Sequence, residues 1–117
     1  MEFSDTKPIY RQIVDFACQQ ILDRIWKPEE RVPSVRELSA ALGVNTRTVM
    51  KAMEELLDME VISARRGMGY SLASDAEEKV RRRMKRVFLA ETLPMIRREM
   101  KMLGILPEEL LDILKSE

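Results

Sequence analysis

Val32-Pro33-Ser34-Val35-Arg36-Glu37-Leu38-Ser39-Ala40-Ala41-Leu42-Gly43-Val44-Asn45-Thr46-Arg47-Thr48-Val49 is the stretch on which the fold turns. Ser34 with Glu37 three residues later spells a capping box, in which hydroxyl and carboxylate each satisfy a free N–H at a helix start. The spacing predicts a short helix over Val35–Leu42 with Val35, Leu38 and Leu42 facing inward. Gly43 can adopt the left-handed conformation that stops it. Val44 plugs the turn, and Asn45 is a good cap for a second helix from Thr46 to about Met59. Val49, Ala52, Met53, Leu56 and Leu57 form its inner face. Two helices joined by Gly43-Val44-Asn45 make a helix-turn-helix.

Outward from this unit the periodicity changes. On the C-terminal side Val61–Ala64 and Gly69–Leu72 read as short strands, with Arg65-Arg66-Gly67-Met68 as the tip of a hairpin. On the N-terminal side a helix is predicted from Pro8 to about Trp26, ended by Lys27-Pro28, with Ile9, Ile13, Ala17, Ile21 and Ile25 in its stripe. Ser74-Asp75-Ala76-Glu77 reads as a second capping box opening a long helix to Leu103, bent or broken by Pro94. Gly104 ends it and Pro107 opens a last amphipathic helix. The expected fold is mainly α with a small β-hairpin. It is a winged helix-turn-helix over residues 1–75, followed by a helical dimerisation tail over residues 76–117.

Composition excludes several classes of function. The 117 residues include no histidine, so a Ser-His-Asp triad and an imidazole zinc site are ruled out. The one cysteine, Cys18, permits no disulfide framework and lies among apolar residues, as a small buried hydrophobe would. No catalytic group, metal or cofactor is expected, and the chain is not expected to be an enzyme. The acidic start lacks a signal-peptide core and no apolar run suits a membrane, so a cytoplasmic protein is expected. Lys+Arg and Asp+Glu both number 20, yet the segment 61–86 carries 8 basic and 3 acidic residues. The run from Lys79 to Arg86 is most simply a solvated helix face, and the acids Glu54, Glu55, Asp58 and Glu60 are surface groups rather than a metal site.

Each part of the winged unit has a physical use on double-stranded DNA. The start of the second helix of the motif can enter the major groove, where Thr46, Arg47, Thr48, Met50 and Lys51 lie on the face left free by the core stripe. Arg47 can give a paired hydrogen bond to a guanine or a phosphate. Ser34 and Arg36 stand at a helix N-terminus, whose free N–H groups favour a phosphate. Arg65, Arg66 and Gly67 at the wing tip can reach a minor groove or the backbone.

Residues 7–73 resemble the DNA-binding domain of the GntR family of bacterial transcription regulators. The matching stretches are Pro8-Ile9-Tyr10-x-Gln12-Ile13, Val32-Pro33-Ser34-Val35-Arg36-Glu37-Leu38, Leu42-Gly43-Val44-Asn45-x-x-Thr48-Val49 and Arg65-Arg66-Gly67-x-Gly69. The resemblance implies a dimeric regulator of two-fold operators, with DNA contacts at Ser34, Arg36, Asn45, Thr46, Arg47, Thr48, Arg66 and Gly67. Relatives can carry a basic residue where this chain has Met50. The family often has glycine where this chain has Arg24, Glu29 and Glu60, which implies a different turn or mild strain. The short tail is similar to that of the small YtrA-type subfamily, in which helices make the dimer.

The function expected is thus a sequence-specific regulator, in the sense of a repressor, acting as a homodimer on a two-fold operator. The alternative is a winged-helix adaptor that binds proteins and not DNA. Arginines at all of positions 36, 47 and 66 favour the first. The dimer seam is expected at Leu89, Leu93, Ile96, Met100 and Leu103, with Leu110, Ile113 and Leu114 adding a second apolar face. A small-molecule effector stays open as a partner; no membrane is expected as one.

Overall fold

The computed structural model describes Glu2, Phe3 and residues 7–116. In chain order the elements are α1 (Ile9–Leu22), α2 (Val35–Leu42), α3 (Thr46–Asp58), β1 (Ile62–Arg65), β2 (Gly69–Leu72), α4 (Ala76–Val87), a π-turn (Phe88–Thr92), α5 (Leu93–Leu103) and α6 (Pro107–Lys115). They divide into two compact units, Met1–Arg81 and Arg82–Glu117.

In the first unit, α1 supplies Ile13, Val14, Ala17, Cys18 and Ile21 to the core, and α3 supplies Val49, Ala52, Met53 and Leu56, all nearly fully buried. The i, i+3, i+4 recurrence of these positions on both helices lets the two stripes close on each other. Leu38 of α2 and Ile62 and Leu72 of the hairpin complete the core. The hairpin is antiparallel, with Ile62 opposite Leu72 and Arg65 opposite Gly69. The segment before α2 lines the same ladder: Glu29 donates to the Leu72 carbonyl, Val32 to Tyr70, and Leu72 back to Glu30. Ala76 and Val80 at the start of α4 are also buried in this core. The first compact unit accordingly runs on to Arg81.

Several elements depart from expectation for identifiable reasons. α1 ends at Leu22 and not near Trp26. Arg24 turns left-handed, at φ 59°, and the Ile25 and Trp26 N–H groups fold back onto the Gln20 carbonyl. Trp26 is thereby buried in the core, while Ile25, counted in the apolar stripe, is exposed. Glu29 and Glu60 are also left-handed, at φ 67° and 60°. All three positions where glycine was expected therefore keep the glycine turn and carry its strain. Ser74 does not cap α4, because the helix begins at Ala76, and Glu77 pairs instead with Arg24 and Arg81. The hairpin tip is Arg66-Gly67-Met68, since Arg65 is a strand residue paired with Gly69.

The long helix is not broken at Pro94: the helical run continues from α4 through the π-turn into α5. Pro94 cannot donate to the Ala90 carbonyl, and its ring crowds that carbonyl. The preceding turn widens, so the Leu93 N–H donates to Phe88, five residues back, in place of Leu89. Such a turn inserts one residue into the helical repeat. Gly104 ends α5 at φ 70°, and Glu109 accepts from the Leu106 N–H to start α6.

Candidate nucleic-acid interface

The exposed end of the helix-turn-helix is built by its caps. Ser34 Oγ accepts the Glu37 N–H at 3.1 Å while Glu37 Oε1 accepts the Ser34 N–H at 3.1 Å. These bonds, with Arg31 beside them, hold the Glu37 carboxyl below its usual range: the Ser34 backbone N–H acts most, then the Ser34 hydroxyl, then Arg31. Arg31 Nη2 lies 2.9 Å from Glu37 Oε1. Arg31 was not singled out by sequence reading, because its place beside the capping box depends on the segment before α2 bridging to Ser71.

Gly43, at φ 67°, closes α2, and Ser39 Oγ donates to the Val44 carbonyl across the turn. Asn45 Oδ1 accepts the Arg47 N–H at 2.8 Å, which leaves the carboxamide N–H groups free to donate. Past this cap, Thr46, Arg47, Met50 and Lys51 are exposed and Thr48 is half-buried, opposite the buried Val49, Ala52, Met53 and Leu56. Lys51 is less free than its position suggests: its ammonium sits 4.2 Å from the centre of the Tyr10 ring. That cation–π contact draws it toward α1 while leaving its charge at the surface.

On the wing, Arg65 is not at the tip and its Nε donates to Ser71 Oγ at 3.1 Å. Arg66 and Gly67, with φ 72° at the glycine, do form the tip beside the exposed Met68. Arg36, Arg47 and Arg66 are exposed and make no ion pair among the described residues. Glu37, a conceivable partner for Arg36, is taken by Arg31. Three unneutralised guanidinium groups thus stand on the two features of a winged helix that can meet a duplex, the start of its helices and its wing tip. The basic run farther on is partly spent within the protein: Lys79 binds the Glu60 carbonyl and Asp75, and Arg81 binds Glu77.

The second unit has a different surface. None of its described residues is buried. Leu93, Ile96, Met100 and Leu110 are half-buried, whereas Leu89, Leu103, Ile113 and Leu114 are exposed, together with Phe88, Met95, Met102, Leu106 and Leu111. No helix among the described residues is long and apolar enough to cross a membrane, and no group of acids and thiols there could hold a metal ion.

The model of "Bacterial regulatory proteins, gntR family" matches residues 9–71. The uncharacterized HTH-type transcriptional regulator YhcF of Bacillus subtilis is 31% identical over 115 residues, which cover 98% of this chain and 93% of that protein. The HTH-type transcriptional repressor YtrA of the same organism is 39% identical over 70 residues, covering 60% of this chain and 54% of that one. Among solved structures, a GntR family transcriptional regulator from Listeria monocytogenes matches with a TM-score of 0.79 at 32% identity, covering 98% of this chain and 100% of that one. These proteins are named as transcriptional regulators and not as enzymes.

Proposed function

The chain belongs to the gntR family of bacterial regulatory proteins, and from that premise we propose that it is a repressor that binds a two-fold operator as a homodimer. The observation that carries DNA contact is the set of unpaired guanidinium groups at Arg36, Arg47 and Arg66 on a winged helix-turn-helix. In this reading Ser34 and Arg36 hold a phosphate at the start of α2. Asn45, Thr46, Arg47 and Thr48 enter the major groove. Lys51 supplies charge from beside Tyr10, and Arg65, Arg66 and Gly67 bring the wing to the backbone or the minor groove. Arg65 serves chiefly by fixing the hairpin through Ser71. Repression is supported by the name of the YtrA relative.

The homodimer is supported by the second unit, where no described residue is buried and large apolar side chains stand in solvent. An apolar face of that extent calls for a partner. We assign the contact to residues 76–117, with Leu89, Leu93, Ile96, Met100 and Leu103 on one face and Leu110, Ile113 and Leu114 on another. One helix-turn-helix spans few base pairs, and a dimer reads inverted half-sites about one helical turn or a multiple apart.

The test is selection of binding sites from random duplexes, followed by titration at several salt concentrations. The expected result is enrichment of an inverted repeat, with affinity falling as a power of salt by about 0.9 for each phosphate neutralised. An adaptor that binds only proteins would enrich nothing and show no such slope.

A further inference from the structure

The groove-facing start of α3 is less polar than a count of its charges suggests. Lys51 is drawn onto the Tyr10 ring, and Asn45 Oδ1 is spent on the Arg47 N–H. Beside the Asn45 carboxamide N–H groups, the Thr46 hydroxyl and the Arg47 guanidinium, what remains forward is the thioether of Met50, which is 50% exposed. Met50 follows Thr46 by four residues and Arg47 by three, so the three side chains share one face of the helix. A solitary exposed methionine on an ordinary surface would mean nothing. This one stands one helical turn beyond the groups that the DNA-binding reading sends into the major groove, where a charged residue would gain from the phosphates.

The major groove presents one apolar group, the C5 methyl of thymine. A methionine side chain is unbranched and polarizable, so it can reach such a methyl and adapt to it. We infer that Met50 reads a thymine methyl in each operator half-site, next to the base or phosphate held by Arg47. Specificity is then divided between a polar contact and an apolar one on the same helix face. The inference rests on the DNA-binding reading above and deepens it by naming a base that the site must contain.

The test is a double-mutant cycle between protein and DNA. The full chain and its Met50→Ala variant are titrated with a duplex selected from random sequence. Each thymine is replaced in turn by deoxyuridine, symmetrically in both half-sites, which removes the methyl and keeps the base pair. At one thymine the unaltered chain should lose about fourfold in affinity per half-site, the worth of one buried methyl-sized group. Met50→Ala should lose about as much on the thymine duplex and be indifferent to deoxyuridine at that position. Met50 is exposed, so the variant keeps its core. If the two losses multiply at every thymine, or no thymine matters, the inference falls while DNA binding stands. If the selected duplex is bound no better than a scrambled one, the DNA-binding reading falls and takes the inference with it.

Discussion

Replacing Glu29 by glycine is expected to stabilise the protein, although it deletes every side-chain atom beyond the backbone. Glu29 sits at φ 67°, held there by its N–H bond of 2.8 Å to the Leu72 carbonyl. In that conformation Cβ crowds the following carbonyl, at a cost of roughly 1–2 kcal/mol. Glycine removes the crowding but returns about 0.4–1 kcal/mol through the greater freedom of its unfolded chain. The net gain is about 0–1.6 kcal/mol by the difference of these terms, near 0.8 at their midpoints. Glu29 makes no ion pair among the described residues, so nothing offsets it. For a unit of this size such a gain corresponds to a rise in Tm of roughly 2–8 °C. The control is Glu29→Ala, which removes the same charge but keeps Cβ. Thermal unfolding followed by circular dichroism, at one protein concentration, should show the glycine variant raised and the alanine variant close to the parent. Equal stabilisation by both would mean that charge and not backbone conformation is at work, and a destabilised glycine variant would refute the strain altogether.

Further outcomes follow from the caps and the wing. Gly43→Ala should cost about 1 kcal/mol, measured by denaturant unfolding, because a Cβ there meets nothing within 4 Å and the penalty is torsional alone. Glu37→Gln should lower stability at neutral pH. Because the folded carboxyl lies below the usual 4.5, the stabilisation lost by this variant is present above pH 4.5 and vanishes as the pH drops through the folded value, so the unfolding curves of parent and variant should converge in acid. Arg66→Ala should reduce the salt slope of DNA binding by about 1 for each wing engaged, with little change in sequence preference. Deleting residues 88–117 should leave a folded winged helix that sediments as a monomer, since the core ends with Val80.

The helix-turn-helix was legible because its signals are local. Ser34, Glu37, Gly43 and Asn45 each act within a few residues of their own position, and the structure keeps every one of those bonds and turns. The early end of α1 was marked only by the family resemblance, which puts a glycine at position 24, and not by the residue itself. The residue that turns the chain is Arg24, whose type argues against its own conformation. The π-turn was half legible: Pro94 announced a bend or a break, and what stands there is a widened turn before the proline in an uninterrupted helical run, where the Leu93 N–H reaches back to Phe88. The exposure of Arg47 and Arg66 was readable from their places on the motif. The attachment of Lys51 to Tyr10 and of Arg65 to Ser71 was not, because each depends on a tertiary contact.

Two-fold binding is tested most directly by the mass of the complex formed with a duplex selected by the chain itself. A two-fold regulator assembled through residues 76–117 requires two chains on each duplex, at concentrations where the free protein is already a dimer. Sedimentation equilibrium at a twofold excess of duplex over dimer should therefore return one duplex with two chains and no species with one. A complex of a single chain per duplex, or a free chain that remains monomeric at micromolar concentration, would contradict it.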